Sequence, residues 1–233
     1  MNSHPPKHIA IILDGNRRWA KKYGFPVWKG HQEGIAKVKE LFKWCKDLGI
    51  TEVTLYAFST ENFNRAKQEV GFLMDAFRKQ FRELRKHEDV VKKKLRVRVV
   101  GREWMFPKDI QKQMQEIVEL TKDNKEYTVN FGLAYGGRQE ITDAVKEIAK
   151  EVKAGKLKPE AITEEMITKN LYLESEPDII IRPGGEVRVS NFLIWQGNYS
   201  EWFFLDKLWP EFTKNDLKRI VDEFAQRQRR FGE

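Results

Sequence analysis

The sequence predicts an α/β domain: a mostly parallel central sheet of about six strands flanked by helices, with residues 1–233 forming one unit. Three observations lead there. Short apolar runs of strand length alternate with stretches whose apolar residues recur at helical spacing. A chain of 233 residues suits one domain with a full core. No repeat, low-complexity segment or linker divides it.

The elements follow in order. "HIAIIL", residues 8–13, is a buried strand that stops at Asp14 and Gly15, with Asn16 expected as the N-cap of a helix. Ile35, Val38, Leu41, Phe42, Cys45 and Leu48 keep helical spacing and stop before Gly49. "EVTLYAF" (52–58) is the second strand. Val70, Leu73, Met74, Phe77, Phe81 and Leu84 mark the next helix. "LRVRVVG" (95–101) precedes a helix marked by Ile110, Met114, Ile117 and Leu120, with Pro107 near its start. "YTVNFGLA" (127–134) precedes a helix marked by Ile141, Val145, Ile148 and Val152. "KEVKAGKLKPEAIT" reads as a flexible surface loop. "DIIIR" (178–182) and "EWFFLD" (201–206) complete the strands, and Leu217, Ile220, Val221 and Phe224 mark the last helix.

A net charge of +8 suggests anionic partners, or simply a highly soluble surface. The single cysteine, Cys45, excludes an intrachain disulfide and a cysteine zinc site, and its helical spacing suits packing. No stretch has the apolar length of a membrane span, and "MNSHPPKH" lacks a signal-peptide core. The reading is a cytoplasmic protein.

Open α/β sheets bind ligands beyond the carboxyl ends of their strands. The polar outliers stand there: Asp14 after the first strand, Ser59, Glu61, Asn62 and Arg65 after the second, Arg182, Arg188 and Ser190 after a later one. Arg17, Arg18, Lys21 and Lys22 occupy early helical turns, where the helix dipole disfavours cations. A diphosphate bound at that helix start would reverse the penalty. Asp14 would repel it unless a divalent cation lay between; Mg²⁺ commonly joins a carboxylate to substrate phosphates. The alternative is solvated arginines and a capping Asp14. Gly184 and Gly185 permit close backbone approach. Glu201, among aromatics in "YSEWFFLD", needs a metal or an arginine. His31, in "KGHQEG", is expected just before a helix, as a cap or donor, or as a proton relay if phosphates lie near.

"HIAIILDGNRRWAKKYG", "GHQEG", "LYAFSTENFNR", "NFGLAYGGRQEI", "IIIRPGGEVRVSNFLIWQGNYSEWFF" and "LWPEF" together resemble the cis-prenyltransferases of the undecaprenyl diphosphate synthase family. The resemblance spans nearly the whole chain. It implies repeated condensation of isopentenyl diphosphate onto an allylic diphosphate, forming cis double bonds and a long polyprenyl diphosphate that carries sugars. It implies Mg²⁺, with Asp14 as the essential aspartate and Glu201 as the acid that helps place the metal. Gly15, Asn16, Arg17, Arg18, Trp19, Val27 and His31 match the allylic site. Ser59, Thr60, Glu61, Phe63 and Arg65 match the loop after the second strand. Asn62 matches a position assigned as proton acceptor, although an amide is a poor base and suits hydrogen bonding or relay better. Arg182, Arg188, Val189 and Ser190 match the isopentenyl diphosphate site. Arg17 stands where glycine is usual, Val27 where a basic residue is frequent, and "RPGGE" replaces "RTSGE" or "RTGGE"; these changes resemble archaeal members and a longer primer such as geranylgeranyl diphosphate. The resemblance also implies a homodimer in which a terminal Arg-x-Gly, here Arg230 and Gly232, reaches the neighbour's site, and contact with a membrane surface through the lipid product.

Competing readings are weaker. There is no G-x-x-x-x-G-K-[ST] for a P-loop enzyme and no Asp-Asp pair for a trans-prenyltransferase. An aspartyl phosphatase would want an acid where Asn16 stands. A nucleic-acid module would want its arginines on one exposed face with aromatic platforms. A non-catalytic partner subunit would be expected to lose Asp14, Asn62 and Arg182.

Overall fold

The computed structural model describes residues 5–227, so Arg230 and Gly232 lie outside the described residues. Six strands form one sheet: β1 (His8–Ile12), β2 (Glu52–Ser59), β3 (Leu95–Val100), β4 (Tyr127–Tyr135), β5 (Ile179–Pro183) and β6 (Glu201–Leu205). Their order is β3-β4-β2-β1-β5-β6, and every neighbouring pair is parallel. The described helices are α1 (Asn16–Lys22), α2 (Val27–Asp47), α3 (Lys67–Leu84), α4 (Glu88–Val91), α5 (Lys108–Thr121), α6 (Gly137–Lys153), α7 (Glu164–Asn170) and α8 (Lys214–Gln226). Parallel pairing follows from crossovers that return the chain to the same end of the sheet: helical ones as far as β5, and an irregular one, residues 184–200, between β5 and β6.

The two faces of the sheet carry separate cores. Alternation sends Ile9 and Ile11 of β1 to one face, with Val53, Leu55, Leu73, Met114 and Leu217. Ala10 and Ile12 go to the other, with Tyr56, Tyr135, Ile180 and Phe192. On the first face a cavity of about 580 Å³ remains between α2, α3 and the sheet. Ala57, Leu55, Leu73, Phe77, Phe81 and Phe131 are among its lining.

Three local expectations change. Asn16 is not the N-cap. Gly15, in the left-handed region at φ 104°, takes that place, and Asn16 is the first helical residue, its side-chain amide donating to the Leu13 carbonyl at 3.3 Å. His31 lies inside α2, not before it. The flanking glycines look like loop residues but serve helix packing: a Cβ on Gly30 would meet the Asn16 carbonyl oxygen at 2.0 Å, and one on Gly34 the Asn16 Oδ1 at 2.3 Å. They let α2 cross α1 in close contact. Finally, residues 150–153 of the expected loop continue α6, because nothing breaks the helix before Gly155 at φ 71°.

Candidate active site

The strand order reverses between β1 and β5, because the chain builds outward on the β2 side first and only then returns to pair β5 with β1. A crevice opens at the carboxyl ends there. Asp14 leaves β1 and Arg182 ends β5 at that point. Asp14 Oδ2 accepts from Arg182 Nη2 at 2.9 Å, and its Oδ1 accepts from Arg18 Nη2 at 3.0 Å, one helical turn on. Arg182 is 3% exposed. Its Nη1 donates to Ser190 Oγ at 2.7 Å and to the Arg188 carbonyl, while its Nε is buried without a partner among the described residues. Gly184, at φ 108°, must be glycine: a Cβ would meet Arg18 Nη2 at 2.7 Å and Asp14 Cγ at 3.3 Å.

A second cation cluster stands beside the first. Arg17, His31 and Arg65 converge on Glu69, in the first turn of α3. Glu69 Oε1 accepts from Arg65 Nη1 at 2.9 Å and lies 3.0 Å from His31 Nε2; Arg17 Nε is 3.8 Å from Oε2. Burial lowers the His31 pKa, only partly offset by Glu69, so the ring is neutral near pH 7 and donates through Nε2. Burial raises the Glu69 carboxyl, but the His31 hydrogen bond and the Arg65 and Arg17 charges outweigh it and hold the group below its ordinary value. Trp19 stacks on Phe25, and Val27, the first residue of α2, is exposed beside them.

The loop after β2 is a single 3₁₀ turn, Thr60–Asn64. Asn62 Oδ1 accepts from the Ser59 N–H at 3.2 Å, so this amide caps the turn. Thr60 Oγ1 is buried without a partner among the described residues, and Glu61 is exposed. Phe63 is half-buried, its ring packing edge-on against Phe58 at 4.8 Å and Phe106 at 5.5 Å. Beyond β5, Arg188 pairs with Glu186, and both Arg188 and Val189 are exposed. Ser190 and Asn191 hold left-handed backbone, at φ 47° and 61°. Asn191 fastens this loop to α6: its carbonyl accepts from Gly137 N–H at 2.7 Å and its Oδ1 from Arg138 N–H at 2.8 Å. Cys45 is packing, as its spacing suggests, with its thiol pushed up to about 12 by burial.

Glu201 does not join Asp14. It opens β6 in register with Ile179, which is in register with Ile9. Asp14 lies five residues beyond Ile9, roughly 16 Å of strand rise away, at the other end of the sheet. Glu201 pairs instead with Arg227, which also covers the Phe203 ring at 4.5 Å. Of the two partners its surroundings called for, the arginine is present, and a metal shared by Asp14 and Glu201 of one chain is not formed. One acid, Glu69, escaped sequence reasoning. Glu69 carried one usable signal, its place four residues after Arg65, a separation that the turn into α3 keeps short.

The family model of undecaprenyl diphosphate synthases, Prenyltransf, matches residues 12–232. The chain belongs to this family of cis-prenyltransferases. It is 52% identical over 229 residues to a tritrans,polycis-undecaprenyl-diphosphate synthase (geranylgeranyl-diphosphate specific) of Thermococcus kodakarensis, covering 97% of this chain and 87% of that protein. It is 48% identical to an isoprenyl transferase of Thermotoga maritima, covering 97% of each. Its fold matches the crystal structure of lavandulyl diphosphate synthase from Lavandula x intermedia in complex with dimethylallyl diphosphate, with a TM-score of 0.92, 35% identity and 98% and 99% of the two chains covered.

A cis-prenyltransferase handles two diphosphates, and the crevice has the donors for them. It holds Arg17, Arg18, Arg65, Arg182 and Arg188 around Asp14 and the α1 N-terminus. No group of three or more metal-ligating side chains occurs among the described residues. One carboxylate, Asp14, in a cradle floored by Gly184, suits a Mg²⁺ whose remaining ligands are water and substrate phosphate oxygens.

Proposed function

We propose that the chain condenses isopentenyl diphosphate repeatedly onto geranylgeranyl diphosphate, building an undecaprenyl-type polyprenyl diphosphate that is the precursor of a glycan lipid carrier. The observation that carries this reading is the placement of the Asp14–Arg182 pair beside the apolar cavity, whose lining reaches Leu13 and Asn16. Charged head and growing tail then have adjoining compartments. The geranylgeranyl specificity in the name of the Thermococcus kodakarensis relative supports the longer primer.

The reaction breaks the primer's C1–O bond, and diphosphate departs with the electron pair. The isopentenyl double bond supplies the pair that forms the new C–C bond. This leaves a cation at C3 of the isopentenyl unit; a proton then leaves C2, its C–H pair forming the new C2=C3 double bond, and goes to Asp14 or to a diphosphate oxygen. Arg182 and Ser190, with Arg188 nearby, bind the isopentenyl diphosphate. Arg17, Arg18, Arg65, His31 and the α1 N-terminus take the primer diphosphate and stabilise its charge as it leaves. Asp14 would hold Mg²⁺, which would supply further neutralisation of the leaving group. Asn62 orders the loop and hydrogen-bonds at the site, and Ser59, Thr60 and Glu61 border it. Holding both substrates in register contributes much of the rate.

Incubation with labelled isopentenyl diphosphate, Mg²⁺ and allylic primers of ten, fifteen and twenty carbons (about two to four isoprene units, read as KM and product length) tests the proposal. Geranylgeranyl diphosphate should have the highest kcat/KM. No product with any primer would leave the rival reading, a non-catalytic partner subunit. The tail compartment has its own test: Ala57→Phe fills the cavity and should shift products to shorter chains, with unchanged products across several lining variants counting against it.

We also propose a homodimer with sites completed across the interface. Glu201 and its partner Arg227 sit far from their own Asp14, at the other end of the sheet, so a metal role for Glu201 belongs to a second copy. Mixing Asp14→Ala with Arg230→Ala subunits tests this. In the mixed dimer, the site with intact Asp14 receives the intact tail, and activity should return. No recovery after verified exchange would remove the trans arrangement. No described helix is long and apolar enough to cross a membrane. A cytoplasmic location with contact at a membrane surface through the product remains part of the proposal; nucleic acid is not.

A further inference from the structure

Glu69 has no place in the mechanism above, yet it occupies the cations that the primer's diphosphate needs. Its carboxylate side chain is 10% exposed and gathers donors from three other elements: Arg17 of α1, His31 of α2 and Arg65 after the 3₁₀ turn. We propose that Glu69 is an internal stand-in for the primer diphosphate, a latch that holds these three donors, two guanidinium groups and the neutral His31 ring, and the first turns of α3 together until a diphosphate displaces it. The inference rests on the primer reading above.

Three arguments support displacement over a fixed positioning role. The first is competition for the same N–H groups. A diphosphate offers more oxygens and more charge than one carboxylate, and cations prefer it when both are within reach. The second is attachment. Phe72, one turn after Glu69, stacks on the His31 ring at 6.4 Å and meets Trp28 at 6.3 Å. Glu69 and Phe72 thus tie the start of α3 to α2, while Leu73, Phe77 and Phe81 further along line the cavity. Release of the latch therefore loosens the wall of the tail compartment as the head group is captured. The third is charge. Without Glu69, Arg17 and Arg65 would face each other and His31 with no carboxylate between them.

The test uses the full chain and inorganic pyrophosphate as the probe. Its dissociation constant by titration calorimetry, and the primer KM and isopentenyl diphosphate KM of active chains, are measured for the wild type, Glu69→Gln and Glu69→Ala. A latch predicts that both variants bind pyrophosphate and primer more tightly, by about five- to tenfold, a typical size for coupling between competing interactions. The isopentenyl diphosphate KM should not move. Unchanged or weaker pyrophosphate binding would overturn the latch and make Glu69 a positioning residue. Amide hydrogen exchange over residues 67–73 of the wild type alone gives a second reading, independent of variant folding. Pyrophosphate should speed exchange there; slower or unchanged exchange overturns the proposal. The two readings separate cleanly. Normal polyprenyl synthesis with no gain in either variant removes the latch alone. Tighter pyrophosphate binding in the variants with no polyprenyl product from any chain keeps the latch and removes the function.

Discussion

The two ends of the sheet both carry dense polar clusters, and they differ in how those clusters are satisfied. At the amino end, His8 Nε2 lies 2.7 Å from Thr54 Oγ1, Asn130 donates to Thr54 at 2.9 Å and to Glu52 at 2.7 Å, and Ser175 donates to Glu52 at 2.6 Å. Asp178 accepts from two backbone N–H groups, and Glu201 has Arg227. The cluster is knit internally, and the two atoms it leaves buried without a partner among the described residues, His8 Nδ1 and Asn130 Oδ1, belong to uncharged side chains. At the carboxyl end, arginines exceed acids, Arg182 Nε has no partner among the described residues, and α1 begins without a side-chain cap. Buried polar groups ordinarily find partners. A cluster whose spare atoms are uncharged holds the fold; one left with a spare guanidinium donor is suited to an anion.

Breaking this contrast should have opposite consequences at the two ends. The largest effect is expected at the carboxyl end. Asp14→Ala should lose about three or more orders of magnitude in turnover, at about 1.4 kcal/mol of barrier per tenfold. The fold should survive, because Arg182 keeps Ser190 Oγ and the Arg188 carbonyl, although a buried guanidinium left without its carboxylate will lower the melting temperature. Near-normal turnover at saturating Mg²⁺ would end the assignment.

At the amino end the pattern should invert. Asn130→Ala removes the donor that joins Thr54 to Glu52 at a fully buried position. It should cost about 1–3 kcal/mol of stability, the penalty for leaving buried partners unmade. Turnover per folded molecule should survive. Chemical denaturation beside steady-state kinetics checks both halves, and a loss of turnover with unchanged stability would count against the contrast.

The smallest effect is a pH dependence. Burial lowers the His8 pKa, with Glu52 offsetting part of it, so the folded chain holds the ring neutral. The unfolded chain takes up the proton first, near its ordinary value of 6.5. Stability is then full above that pH and declines as pH falls from there toward the folded pKa. His31 acts in the same direction. The melting temperature should fall by a few degrees between about pH 7 and pH 5. His8→Gln should flatten part of that slope, and an unchanged slope would assign it elsewhere.

The strands are the most legible part of the sequence. All six lie within one or two residues of their sequence bounds, because each is a short apolar run closed by an acid, a glycine or a charged turn. Asp14 and Arg182 are legible for the same reason: each stands where such a run stops. Helix boundaries are less legible. The glycines around His31 read as loop because a sequence shows their freedom and not the neighbouring helix that needs the space. The short helices α4 and α7 carry too few turns to display a period.

Residue order alone carries the α/β class, the strand ends that bear chemistry, the excess of cations for diphosphates and the family. The partnerships come from three-dimensional packing. Asp14 meets Arg182 because the sheet order brings β5 back beside β1, across 168 residues of chain. Glu201 misses Asp14 because it begins a strand while Asp14 follows one, and parallel register sends those two positions to opposite ends. Glu69 joins Arg17 and His31 because α3 folds over α2. Local pattern is set by residues a few positions apart, whereas charge pairing depends on which elements the packing of the core brings within about 4 Å.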